Sequence, residues 1–138
     1  MGALKARFHQ PKMIQRVLKT NELVGGKRDN YILPLVIKNE HPYLGACALS
    51  FTIVNIPKLT EEIWATAWTI DDVRKAHSSL KLAILVKPPR PDDTKVNQIF
   101  HKWKSIFKDL KSDFVEENRI EKWAINVAQE LPARIIEH

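Results

Sequence analysis

Cysteine is almost absent from this chain. The one present, Cys47, can form no internal disulfide, and its place in the apolar run Ala46 to Leu49 suits a reduced thiol acting as a small hydrophobe. An intracellular, cytoplasmic or nuclear protein is therefore expected rather than a secreted one. Glycine is scarce too, at four residues, and neither GxxxxGK[ST] nor GxGxxG occurs, which excludes the loops that cradle nucleotide phosphates. No apolar run approaches the roughly 20 residues of a membrane-spanning helix. The opening residues carry no signal-peptide core.

Metal and catalytic patterns are missing as well. His9, His41, His77, His101 and His138 lie far apart, without the close Cys/His pairs of zinc sites. Asp71, Asp72, His77, Ser78 and Ser79 are neighbours in sequence, but a catalytic triad is defined by geometry, and a solvated connection is the simpler reading. Glu61-Glu62 and Asp71-Asp72 could bring carboxylates together as divalent-metal nucleases require. Such a nuclease also needs a (D/E)xK strand, and none follows Pro91-Asp92. The acid pairs read as loop charges or helix starts. No enzyme, no cofactor and no metal are expected.

What is present is one helix without a miss. Between Asp92 and Lys111, Val96, Ile99, Phe100, Trp103, Ile106, Phe107 and Leu110 fall at helical spacing and form a stripe wide enough to face a core. Pro88, Pro89 and Pro91 stop whatever precedes, and Asp92 or Asp93 can cap the first turn. The other face carries Lys95, Lys102, Lys104, Lys108 and Lys111 against Asp109 alone.

The rest of the 138 residues, 44% of the chain being apolar, suffices for one domain with a core of its own. Residues 1–11 read as a basic arm, 12–131 as the domain and 132–138 as a tail. Lys12 to Val24 fits either a strand or a short helix, with the polar turn Gly25 to Asn30 after it. Tyr31 to Ile37 is strand-like, although Pro34 cannot donate to a ladder and points to an edge or a bulge. Leu44 to Ile56 reads as a central strand ended by Pro57. Ile63 to Ile70 alternates Trp, Thr and Ile with Ala and reads as a strand, and Leu80 to Val86 as another. Asp113 and Glu116 have capping-box spacing ahead of a second helix with Ile120, Trp123, Ala124, Val127 and Leu131 on its stripe. The expected fold is α+β: an antiparallel β-sheet of four or five strands followed by two C-terminal amphipathic helices packed on it.

The net charge of +6 is unevenly spread. Through Lys58 there are nine Lys and Arg against three Asp and Glu, and from Ser112 onward three against six. Concentrated positive charge favours a polyanionic partner, although it also serves solubility alone. The leading expectation is non-enzymatic nucleic-acid binding, RNA before duplex DNA, because no recognition-helix or zinc-finger signature occurs. Lys12, Arg16, Lys19, Lys27, Arg28, Lys104, Lys108 and Lys111 would contact phosphates with weak sequence selectivity. Trp103 and Trp123 belong to core stripes. Trp64 and Trp68 share one face and are the candidates for stacking on bases, provided their rings are exposed. The rival is a self-assembling structural or peripheral-membrane protein at an anionic membrane surface, comparable by analogy to small viral matrix proteins, in which a homo-oligomer would form. A third reading is a protein-interaction adaptor whose acidic last helix or Ile135-Ile136 tail docks another protein, which an open apolar patch would mark.

Overall fold

In the computed structural model, residues 18–38, 40–53 and 55–130 are described; the basic arm and the C-terminal tail lie outside them. The elements in chain order are β1 (Leu18–Gly25), β2 (Asn30–Lys38), β3 (Pro42–Ser50), α1 (Ile56–Ala76), β4 (Lys81–Lys87), α2 (Thr94–Asp109), β5 (Asp113–Glu116), a 3-10 turn (Glu117–Arg119) and α3 (Ile120–Glu130). The segment expected as strand or short helix is strand from Leu18 on.

The chain is α+β, and its five strands lie in the order β1-β2-β3-β4-β5. The sheet is mixed rather than antiparallel. β1, β2 and β3 form an antiparallel meander, whereas β3 pairs with β4 and β4 with β5 in parallel. Parallel neighbours need a crossover, and α1 and α2 supply the two crossovers here. β4 is accordingly buried on both faces over Leu82–Val86, as a central parallel strand requires.

The largest correction concerns Ile63 to Ile70, which is the middle of helix α1 and not a strand. Pro57, read as the end of a strand, occupies the first turn of that helix, where its missing N–H is no loss. Asn55 caps the helix by accepting from Lys58 N at 3.1 Å. Leu59, Ile63, Ala67, Ile70 and Val73 form its buried stripe. The second correction is that Asp113–Glu116 is strand β5, and the last helix starts only at Ile120. There are thus three helices among the described residues, not two C-terminal ones. α2 matches its expectation: Asp93 caps it through Val96 N at 3.2 Å, and Val96, Phe100, Trp103 and Phe107 are buried.

Two cores flank the sheet. One joins α1 and α2 to Leu33, Val36, Cys47, Leu49, Leu82, Ile84 and Val86. The other joins α3 to Leu35, Ile37, Leu44, Ala46, Ala83, Leu85 and Val115. Leu33 and Leu35 are two residues apart in β2 yet enter opposite cores. The reversal falls at Pro34, where the ladder with β1 omits the Asn21 and Pro34 pair and Asn21 takes φ +51°. Pairing with β3 also begins only at Leu35, so the first half of β2 has one paired edge. Leu33 then lies over β3 at Gly45, where an added Cβ would meet its side chain at 2.7 Å.

Candidate functional site

Past Asn21 and Pro34, the tip of the β1–β2 hairpin rests on the C-terminal half of α1. Asp72 holds it there. Its carboxylate accepts from Arg28 N at 3.0 Å, Asp29 N at 3.2 Å and Tyr31 Oη at 2.8 Å. Its main-chain oxygen accepts from Lys27 N at 3.1 Å. Just past the end of α1, His77 Nε2 lies 2.9 Å from Gly25 O. The approach is close enough that a Cβ on Gly26 would come within 2.8 Å of the Tyr31 ring and nearer still to the Asp72 carboxylate. Gly26 is therefore required by space and not by its φ.

Asp72 is only 3% exposed. Desolvation alone would raise its pKa, but the hydrogen bonds from Tyr31, Arg28 and Asp29 and the charge of Arg28 outweigh it, so the carboxyl titrates below its usual range. Tyr31 shifts the other way: burial, then the bond to Asp72 and its negative charge, raise the phenol above its ordinary value. The acid pair read as loop charge is thus split. Asp72 is a buried anchor, and Asp71 is a surface partner of Lys75 at 3.0 Å.

The anchored turn sets a cation over an aromatic ring. Arg28 Cζ lies 5.6 Å from the centre of the Trp68 ring, within cation–π range. Trp68 and Trp64 stand one turn apart on the outer face of α1, 50% and 61% exposed respectively. Their rings border a groove of about 560 Å³ between α1 and α2 whose other walls include Trp103, Ile106 and Leu110. Trp103 is buried beneath and meets Trp64 edge to face, with centroids 5.0 Å apart. Among the described residues Asp71 is the one charged residue in the groove wall.

The sequence-predicted cations do not gather in one place. Lys27 and Arg28 stand on the exposed hairpin tip beside Trp68. Lys19 is exposed on β1. Lys104 and Lys108 line a separate cleft beside β5, where Lys104 pairs with Glu116 at 3.2 Å. Lys111 follows the Leu110 cap of α2 with φ +58°, and its carbonyl accepts from Arg74 Nη2 at 2.8 Å. Lys12 and Arg16 lie outside the described residues.

No protein-family model, curated protein or solved structure matches the chain. Among the described residues no group of three or more His, Cys, Asp or Glu is placed to hold a metal ion, and no helix is long and apolar enough to cross a membrane. Cys47 is buried, and desolvation pushes its thiol up to about 12. It is a packing residue rather than a nucleophile. The residue that sequence reasoning missed is Asp72, whose partners lie more than forty positions away. Nothing local marks it as buried.

Proposed function

We propose that the chain binds single-stranded nucleic acid, RNA before DNA, through the face formed by Trp64, Trp68, Lys27 and Arg28. The observation that carries this reading is the exposure of two tryptophans, one turn apart on a rigid helix, with a guanidinium held over one ring. Bases stack on such rings without regard to sequence, and the adjacent cations meet the phosphates. Duplex recognition is disfavoured because α1 presents rings rather than hydrogen-bonding side chains to a groove. No chemical step is assigned to the site.

The test is quenching of tryptophan fluorescence on titration with oligouridylate, at two salt concentrations. Trp68→Ala and Trp64→Ala should each weaken binding roughly tenfold, in keeping with about 1 to 3 kcal/mol per stacked base. Unchanged affinity in both variants, with native circular dichroism, sinks the reading.

A second reading is supported by the composition of the groove, whose wall among the described residues offers Asp71 as its one charged residue. An apolar side chain from a partner protein would fill it as an interface anchor, at a place other than the last helix or tail that the adaptor expectation named. That reading gives Trp64→Ala and Trp68→Ala a loss of protein association that does not depend on salt.

A further inference from the structure

Away from the tryptophan face, β5 ends the sheet. Among the described residues it pairs with β4 on one side only, so alternate backbone N–H and C=O groups of its other side point away from the sheet. A cleft of about 600 Å³ runs along that side, lined by all four β5 residues, with α2 as one wall and the 3-10 turn and α3 as the other. The four residues span about 13 Å at strand rise, and a cleft of this form accepts an extended chain as a sixth strand.

The side chains around the cleft specify the charge of that chain. Lys104, Lys108, Arg119 and Lys122 stand in its walls against Asp113 and Glu116. Both acids are already engaged: Glu116 by Lys104 at 3.2 Å, and Asp113 by Lys81 at 3.7 Å and by Trp123 Nε1 at 3.2 Å. Lys108, Arg119 and Lys122 are exposed and have no ion-pair partner among the described residues. We infer that the β5 edge is a docking site for an extended acidic peptide segment of a partner protein, which adds to β5 as a strand and sets its carboxylates against Lys108, Arg119 and Lys122.

A peptide fits the cleft better than a nucleic acid does. An open strand edge alternates donors with acceptors, and phosphate can use only the donors. The indole that the described residues place in the cleft wall, Trp123, is half-buried and spends its N–H on Asp113, so it offers little face for stacking. The inference is independent of the tryptophan face on α1 and survives if that reading fails.

The test is fluorescence anisotropy with the full chain and a labelled peptide that alternates Glu with Val and Thr. Controls are the same peptide with Lys for Glu and a version interrupted by Pro at its centre. The acidic peptide should bind, the Lys version at least tenfold more weakly, and the Pro version as weakly, since it cannot continue a ladder. Arg119→Glu with Lys122→Glu should cost the acidic peptide at least tenfold and leave the melting temperature close to that of the parent, because both residues are exposed. Trp68→Ala should leave peptide affinity unchanged. Equal binding of the Pro version overturns the strand pairing, and no binding of the acidic peptide overturns the docking site and leaves the cations as guards of an exposed edge. If the charge reversal abolishes oligouridylate binding while the peptide does not bind, the cleft takes phosphate and the inference is wrong. Dimerisation through β5 at the concentrations of the assay also overturns it.

Discussion

Tyr31 donates its phenolic proton to Asp72 at 2.8 Å across 41 positions of sequence, and this bond ties the β1–β2 hairpin to helix α1. The tie has a signed pH dependence. The folded pKa of Asp72 lies below its unfolded value, so the carboxylate contributes stability that is fully present above about pH 4 and is lost as pH falls through the folded value. Asp72→Asn should be less stable than the parent at neutral pH, and the gap should narrow steadily below about pH 4. Denaturant melts across the acid range check this, and a gap of constant size would show that ionisation of Asp72 is irrelevant.

The two faces of α2 should answer differently to substitution. Trp103 is buried among Trp64, Phe107 and the groove residues, so Trp103→Ala should cost on the order of 3 to 5 kcal/mol. Lys104→Ala removes an ion pair with Glu116 that is partly solvated on both sides and should cost less than about 1 kcal/mol. Equal shifts of the denaturation midpoint would mean that the buried face is wrongly assigned.

Elements whose periodicity is unambiguous were legible in the sequence, as were the strands β2 and β3, but the direction in which the strands pair was not. α2 repeats its apolar residues over several turns, and β4 is a short apolar run between turn signals; both stand where expected. α1 was missed because Trp64, Thr66, Trp68 and Ile70 mimic a strand, although Asn55 and Pro57 spell a helix start and Leu59, Ile63, Ala67, Ile70 and Val73 keep helical spacing. With that helix read as strand, the crossover vanished and with it the parallel half of the sheet. β5 is four residues long, and Asp113 and Glu116 imitate a cap. At the candidate site, the types of residue were readable: aromatic residues beside cations. Their grouping was not, because Arg28 and Trp68 meet only after Asp72 has captured the turn.

Cys47 offers a probe of the core between the sheet and its two crossover helices. Burial raises its thiol to about 12, so at neutral pH the native protein should react with thiol reagents only through unfolding. Labelling by a disulfide reagent should be slow without denaturant and accelerate in step with the loss of near-ultraviolet circular dichroism. Rapid labelling of the native state would show that β3 opens locally.

The last expectation separates the two clusters of positive charge. If nucleic acid is held at the hairpin tip, Lys27→Gln and Arg28→Gln should each remove about 0.7 from the slope of log affinity against log salt, the value for one phosphate contact on a single strand. Arg28→Gln should in addition weaken binding at every salt concentration, because the guanidinium over Trp68 also shapes the stacking face. Lys108→Gln, in the cleft beside β5, should leave the slope unchanged. Lys27→Gln replaces an exposed side chain while the turn's bonds to Asp72 run through backbone N–H groups, so the melting temperature should barely move; Arg28→Gln also removes a charge beside Asp72 and the contact with Trp68, and should lower it slightly. A slope lowered by Lys108→Gln and not by the hairpin pair would move the nucleic-acid interface to the other side of α2.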